Sequence, residues 1–121
     1  MILLDSSCWI EYFIEGKASS SLERYTTNLN ELLIPTIIIY EVARYLLKKI
    51  EKKDVLFATA QMTQGVVVPL DEKTARLAAS LGLKHHLGMA DAMIYATSQS
   101  HNAKLITLDN DFRNLPGCVV V

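Results

Sequence analysis

Four carboxylates sit in sequence surroundings that ordinarily exclude charge. Asp5 ends the apolar run of "MILLDSS", Glu41 lies inside "IIIYEVARYLL", Asp91 inside "GMADAMIYATSQ", and Asp109 closes the apolar stretch of "LITLDNDF". A carboxylate taken out of water is costly unless something compensates it. Taken singly, each has an ordinary role. Asp5 and Asp91 can cap helices, Asp109 can open a turn, and Glu41 can pair with Arg44 or Lys48 on an exposed helix face. Taken together, converging carboxylates would repel one another unless cations neutralised them. Mg2+ or Mn2+, which prefer carboxylate oxygen and water, suit such a cluster. A cation of that kind activates water for attack on a phosphodiester and stabilises the leaving oxygen.

The neighbours of these acids fit supporting roles. Ser6 and Ser7 can hydrogen-bond a carboxylate or cap the first helix, and Thr107 can orient Asp109 or simply favour a strand. Ser98 shares a helix face with Asp91. Asp111 is a possible fifth ligand and also a natural turn residue before Phe112. At about 100° per residue, Val42, Ala43, Leu46, Leu47 and Ile50 fall on one side of a helix, and Glu41, Arg44, Lys48 and Lys52 on the other. That second stripe could follow a phosphate backbone or an acidic partner surface. Tyr45, beside it, is the aromatic placed to stack on an unpaired base.

These residues need a scaffold that brings them to one edge. Short apolar strands are expected at Ile2-Leu4, Leu32-Ile34, Val66-Leu70, Lys104-Leu108 and Cys118-Val121, in the Val/Ile/Leu-rich pattern of strands covered on both faces. Helices are expected between them. Ser7 can cap "CWIEYF", and Ser19 to Ser21 precede "LERYTTNLNEL". Thr36 can start one long helix, "IIIYEVARYLLKKIEKK". Asp54 starts "VLFATAQMTQ", Asp71 caps "EKTARLAASLG", and Asp91 opens "AMIYATSQSHN". "LGLKHHLGM" reads as a solvated loop. The alternation predicts an α/β fold, a three-layer α/β/α sandwich around about five parallel strands. In such sheets sites lie beyond the carboxyl ends of strands, where Asp5 and Asp109 fall.

The whole chain sets bounds. Its 121 residues suit one domain, residues 1–121, with no need of a disulfide or structural metal. Cys8 and Cys118 lie far apart, form no metal-ligand spacing and read as reduced core residues. No leader pattern is evident, and no apolar run approaches the roughly 18 to 20 residues of a membrane span, so a cytoplasmic protein is expected. The chain carries a net charge of −1. Its one basic concentration is "RYLLKKIEKK", residues 44–53. There is no glycine-rich phosphate loop and no plausible serine or cysteine triad, since His85, His86 and His101 lie outside the acidic stretches.

"LLDSS", "YEVARYL", "ADAMIYATS" and "LITLDNDF", in that order over nearly the whole chain, resemble the signatures of PIN-domain nucleases. The length and compact arrangement are most similar to the VapC-type toxins of prokaryotic type II toxin–antitoxin pairs. The resemblance implies a sheet of order 3-2-1-4-5, Mg2+- or Mn2+-dependent endoribonuclease activity, homodimerisation, and a cognate antitoxin that wraps the dimer and blocks the site. By position Asp5, Glu41, Asp91 and Asp109 match the family's acidic quartet, with Asp111 a competitor for the fourth place. The competing expectations are a PIN-type nuclease of RNA processing or decay without a toxin role, and a non-catalytic Mg-binding α/β module.

Overall fold

The computed structural model describes residues 1–121, and strands alternate with helices along it. The strands are β1 (Ile2–Leu4), β2 (Leu33–Pro35), β3 (Val66–Val68), β4 (Lys104–Thr107) and β5 (Cys118–Val120). The helices are α1 (Ser6–Phe13), α2 (Ser19–Thr26), α3 (Thr36–Leu46), α4 (Lys52–Met62), α5 (Glu72–His85) and α6 (Met89–Ser100). Leu29–Glu31 and Asn110–Phe112 form single 3-10 turns.

Every strand pairing is parallel: β1 with β4, β4 with β5, and β2 with β3. One isolated parallel bridge, Ile2 to Leu32, joins the two parts. The order is therefore 3-2-1-4-5, with a seam between β2 and β1. Successive strand residues point to opposite faces. Leu3 and Leu4, Leu33 and Ile34, and Leu105 and Ile106 are all buried, so both faces of the three central strands are covered. The edge strand β3, expected to be covered too, leaves Val66 and Val67 exposed because it has a neighbour on one side only. One apolar core joins these residues to Trp9 of α1, Ile38, Val42 and Leu46 of α3, Met62 of α4 and Ile94 of α6. No helix is long and apolar enough to cross a membrane.

The helix boundaries depart from expectation in four instructive places. Asp5, not Ser7, caps α1 by accepting the Ser6 amide. The serines 19–21 lie inside α2, not ahead of it. The long helix expected from Thr36 stops at Leu46, and α4 starts afresh at Lys52, with Glu51 extended between. A continuous helix would stack Lys48 on Lys52 and Lys49 on Lys53, and like charges four residues apart destabilise a helix. Ending α3 there also leaves Leu47 and Ile50 exposed instead of on the core side. Finally, "LGLKHH" is not a loop. α5 runs on through Gly82 to His85 and ends on His86, which is left-handed at φ 57. Gly82 is there for close approach, since a Cβ on it would meet the Cβ of Ala92 at 3.1 Å. Lys84 and His85 in the last turn suit the negative end of that helix.

Candidate active site

Asp5 leaves the carboxyl end of β1, and Asp109 follows the end of β4, its neighbour in the sheet. Asp5 is 3 % exposed and its carboxylate is held from three sides. Oδ1 accepts the Ser6 amide at 2.8 Å, and Oδ2 accepts the Ser7 hydroxyl at 3.0 Å and the Thr107 hydroxyl at 2.7 Å. Both hydroxyls also accept. Thr107 Oγ1 takes the Asp109 amide at 3.0 Å, and Ser7 Oγ takes the Leu108 amide at 3.1 Å. Asp5 thus fixes the backbone that carries Asp109. Thr107 orients the main chain of Asp109 as well as the carboxylate of Asp5, and Ser7 acts on Asp5 instead of capping.

The remaining acids are held differently. Asp91 lies in the first turn of α6, whose cap is Gly88. Asp109 caps the last 3-10 turn, its Oδ1 accepting the Asp111 amide at 2.9 Å. Carboxylate oxygens of Asp91, Asp109 and Asp111 lie within 4.8 Å of one another. Asp111 is therefore both a turn residue and part of the cluster. Asp5 and Glu41 stand outside that trio but act on it electrostatically. Burial, then the negative charges of Asp5, Asp109, Glu41 and Asp111, push Asp91 up to about 6, with no hydrogen bond to offset them. The positive end of α6 offers partial relief.

Glu41, in α3, is half-buried, and its Oε1 is sealed from solvent without a hydrogen-bond partner. Burial raises its pKa, nearby Ser6 opposes this, and the charge of Asp5 adds to the rise. Asp5 is raised by burial, in spite of the donors from Thr107, Ser7 and Ser6, and further by Asp109. An orphaned buried oxygen on a side chain whose charge acts on Asp91, together with three clustered carboxylates, fits a hard divalent cation. Such an ion supplies the positive charge that the protein's own donors do not.

A groove of about 250 Å3 opens beside Glu41, and Arg44, Tyr45 and Lys48 line it with Ser6, Ile10 and Tyr40. Lys52 lies on the next helix, so the basic stripe expected along one helix is split. Tyr40 was not singled out by sequence, although its place just before Glu41 was the available signal.

Ser98 is not at the site. It is fully buried, donates to the Tyr95 carbonyl at 2.7 Å, and borders a cavity with Lys104 and Gly117, at the opposite edge of the sheet. His85 packs edge-on against Tyr95 with ring centroids 5.7 Å apart. Burial pushes the Cys8 thiol to about 12 and Cys118 to about 11, so neither is a nucleophile near neutrality.

Among curated protein sequences, none matches this chain significantly. Solved structures do. A toxin–antitoxin complex from Klebsiella pneumoniae superposes with a TM-score of 0.86 at 22% identity, over 99% of this chain and 97% of that one. VapBC2 from Rickettsia felis, bound to a DNA fragment from its promoter, gives 0.76 at 18% identity, over 100% and 98% of the two chains. VapC20 from Mycobacterium tuberculosis, a toxin that cleaves the sarcin–ricin loop, gives 0.76 at 16% identity, over 93% and 92%. The family model for the PIN domain matches residues 2–117, an interval that contains all five acids of the sheet edge, and the chain belongs to the PIN-domain family.

Proposed function

We propose that this chain is a metal-dependent endoribonuclease, a single domain over residues 1–121, acting as the toxin of a toxin–antitoxin pair. The observation that carries the reading is the clustering of Asp91, Asp109 and Asp111 carboxylates within 4.8 Å at the carboxyl edge of the sheet. Asp91, Asp109 and Asp111 would hold Mg2+ or Mn2+, with Asp5 and Glu41 completing the negative field. When bound, the ion supplies Lewis-acid polarisation of the phosphodiester and a more acidic water.

The protein's own groups do the rest. Asp5, locked by Ser6, Ser7 and Thr107, fixes the geometry of the Asp109 turn. Glu41, outside the trio and with one carboxylate oxygen unpartnered, is the group left to take a proton from the attacking water. Arg44 and Lys48 hold the phosphate backbone in the groove beside Glu41, Tyr45 supports its wall, and Lys52 contributes charge at longer range. Hydrolysis proceeds with no covalent enzyme intermediate: both thiols stay protonated near neutrality, and no histidine that could activate a hydroxyl belongs to the acidic cluster.

The same reading includes a cognate antitoxin, a homodimer and a cytoplasmic location. The similarity to toxin–antitoxin complexes supports the antitoxin. A wholly apolar cleft between α5 and α6, about 190 Å3 and lined in part by Met89, which is 76% exposed, supports a second copy of the chain. The test is incubation of the purified protein with total RNA from its host, with Mn2+ or Mg2+, beside EDTA and an Asp91→Asn control. Discrete metal-dependent cuts absent from the control are expected. Equal cutting by the control would overturn the assignment.

A further inference from the structure

We propose that the groove beside Glu41 is a nucleotide subsite in which an unpaired base stacks on the ring of Tyr40. The proposal rests on the nuclease reading above and adds a residue and a substrate form to it. Tyr40 and Tyr45 both border the groove, but their rings are in different states. Tyr45 is half-buried against the core, and the Lys49 ammonium lies 5.7 Å from its ring centroid. Tyr40 is 59% exposed. Its hydroxyl accepts a hydrogen bond from Arg44 Nη1 at 3.3 Å, one helical turn on. The contact tethers the edge of the Tyr40 ring and sets a guanidinium beside it.

Charge along the groove orders the ligand. The lining includes the Glu41 carboxylate, which repels anions and tolerates a neutral base. It also includes Arg44 and Lys48, which attract phosphates. An exposed aromatic ring beside two cations, with its hydroxyl held by one of them, is the arrangement that binds single-stranded nucleic acid by stacking without demanding one sequence. An acidic peptide would use Arg44 and Lys48 but leave the exposed Tyr40 ring without a planar partner. A base inside a duplex is already stacked and has no free face, so this subsite selects loops and unpaired segments of RNA.

The test uses short oligoribonucleotides with 2-aminopurine at successive positions, bound to an Asp91→Asn background so that the RNA stays intact. Fluorescence quenching reads stacking, and anisotropy reads affinity. One position should be quenched on binding. Tyr40→Ala should remove that quench and weaken binding about tenfold, while Tyr40→Phe keeps the quench. An abasic nucleotide at that position should make Tyr40→Ala and its parent bind alike. Equal quench and affinity in Tyr40→Ala would overturn the proposal. So would failure to bind RNA, and capture of a polyglutamate peptide instead would assign the groove to an acidic protein. Cleavage by the unsubstituted chain, run alongside, separates the two readings. Cutting without a Tyr40-dependent quench sinks the subsite alone, and a Tyr40-dependent quench without cutting sinks the nuclease alone.

Discussion

Asp5 and Asp91 carry the same group, face the same sheet edge and feel each other's charge, yet the protein treats them in opposite ways. Asp5 is buried and receives three hydrogen bonds, each from a residue within two positions of it or from β4. Asp91 is half-exposed, and what acts on it is burial and four other carboxylates. One carboxylate has its oxygens engaged by the protein's own donors, and the other accepts no hydrogen bond. Under the proposed reading a cation site uses both. The fixed acid holds the turn that presents Asp109, and the open acids of that turn and of α6 keep oxygens free for a ligand.

Ways to break that contrast can be ranked by size. The largest effect is on catalysis. Asp91→Asn should lower metal-dependent RNA cleavage by at least about a hundredfold, with circular dichroism unchanged. A rate near that of the parent would remove Asp91 from the open half. Next comes the link between the halves. Thr107→Val deletes the hydroxyl that joins the Asp109 amide to Asp5. It should cost about 10- to 100-fold in activity or metal affinity, as loss of a group supporting a ligand does. Normal Mn2+ affinity and rate in Thr107→Val would show the halves to be independent.

Stability should separate the halves by sign. Asp5→Ala strands the Ser6 amide and two hydroxyls, and should destabilise the fold by about 2–4 kcal/mol. Asp91→Ala should instead raise metal-free stability at neutral pH, because it removes a repelled charge. Asp91 binds its proton more tightly in the fold than in the unfolded chain, its pKa moving from 3.8 to about 6. Its contribution is therefore fully present below about pH 4 and is lost as pH rises through about 6. After allowance for solvent screening of a half-exposed group, the loss should be about 1–2 kcal/mol. Asp5 and Glu41, also raised, act in the same direction. Chemical denaturation of the metal-free protein at pH 4.5 and 7.5 checks this, and a flat profile in which Asp91→Ala changes nothing would contradict it. The smallest effect concerns the approach to the open half. Lys48→Ala should reduce the slope of log affinity for single-stranded RNA against log salt by about 0.7. Lys52→Ala, outside the groove, should change it less, and equal slopes for both would restore the undivided stripe.

The places of Asp5 and Asp109 at the sheet edge were legible in the sequence because a charge at the end of an apolar strand is a local signal. The 3-2-1-4-5 order came from the resemblance to PIN domains, and the parallel pairings bear it out. What stayed hidden depended on spacing between elements. Periodicity carried α3 through Lys48 and Lys52, because an apolar-moment argument ignores like-charge repulsion along the helix. Gly82 read as a stop because its role, close approach to Ala92, lies ten residues away on another helix. Ser98 shared a face with Asp91 but lies two turns further along α6, at the far edge of the sheet. The division of labour between Asp5 and Asp91 was likewise invisible, since the Thr107 hydroxyl that defines it lies 102 residues from Asp5.

The most direct measurement is a calorimetric titration of Mn2+ into the metal-free protein and into Asp91→Asn, at pH 5 and at pH 7.5. The account predicts saturable binding at pH 7.5, weaker at pH 5 where Asp91 is mostly protonated, with proton release on binding near pH 6 and no comparable site in Asp91→Asn. Equal binding by the two proteins, or binding indifferent to pH across that interval, would contradict it.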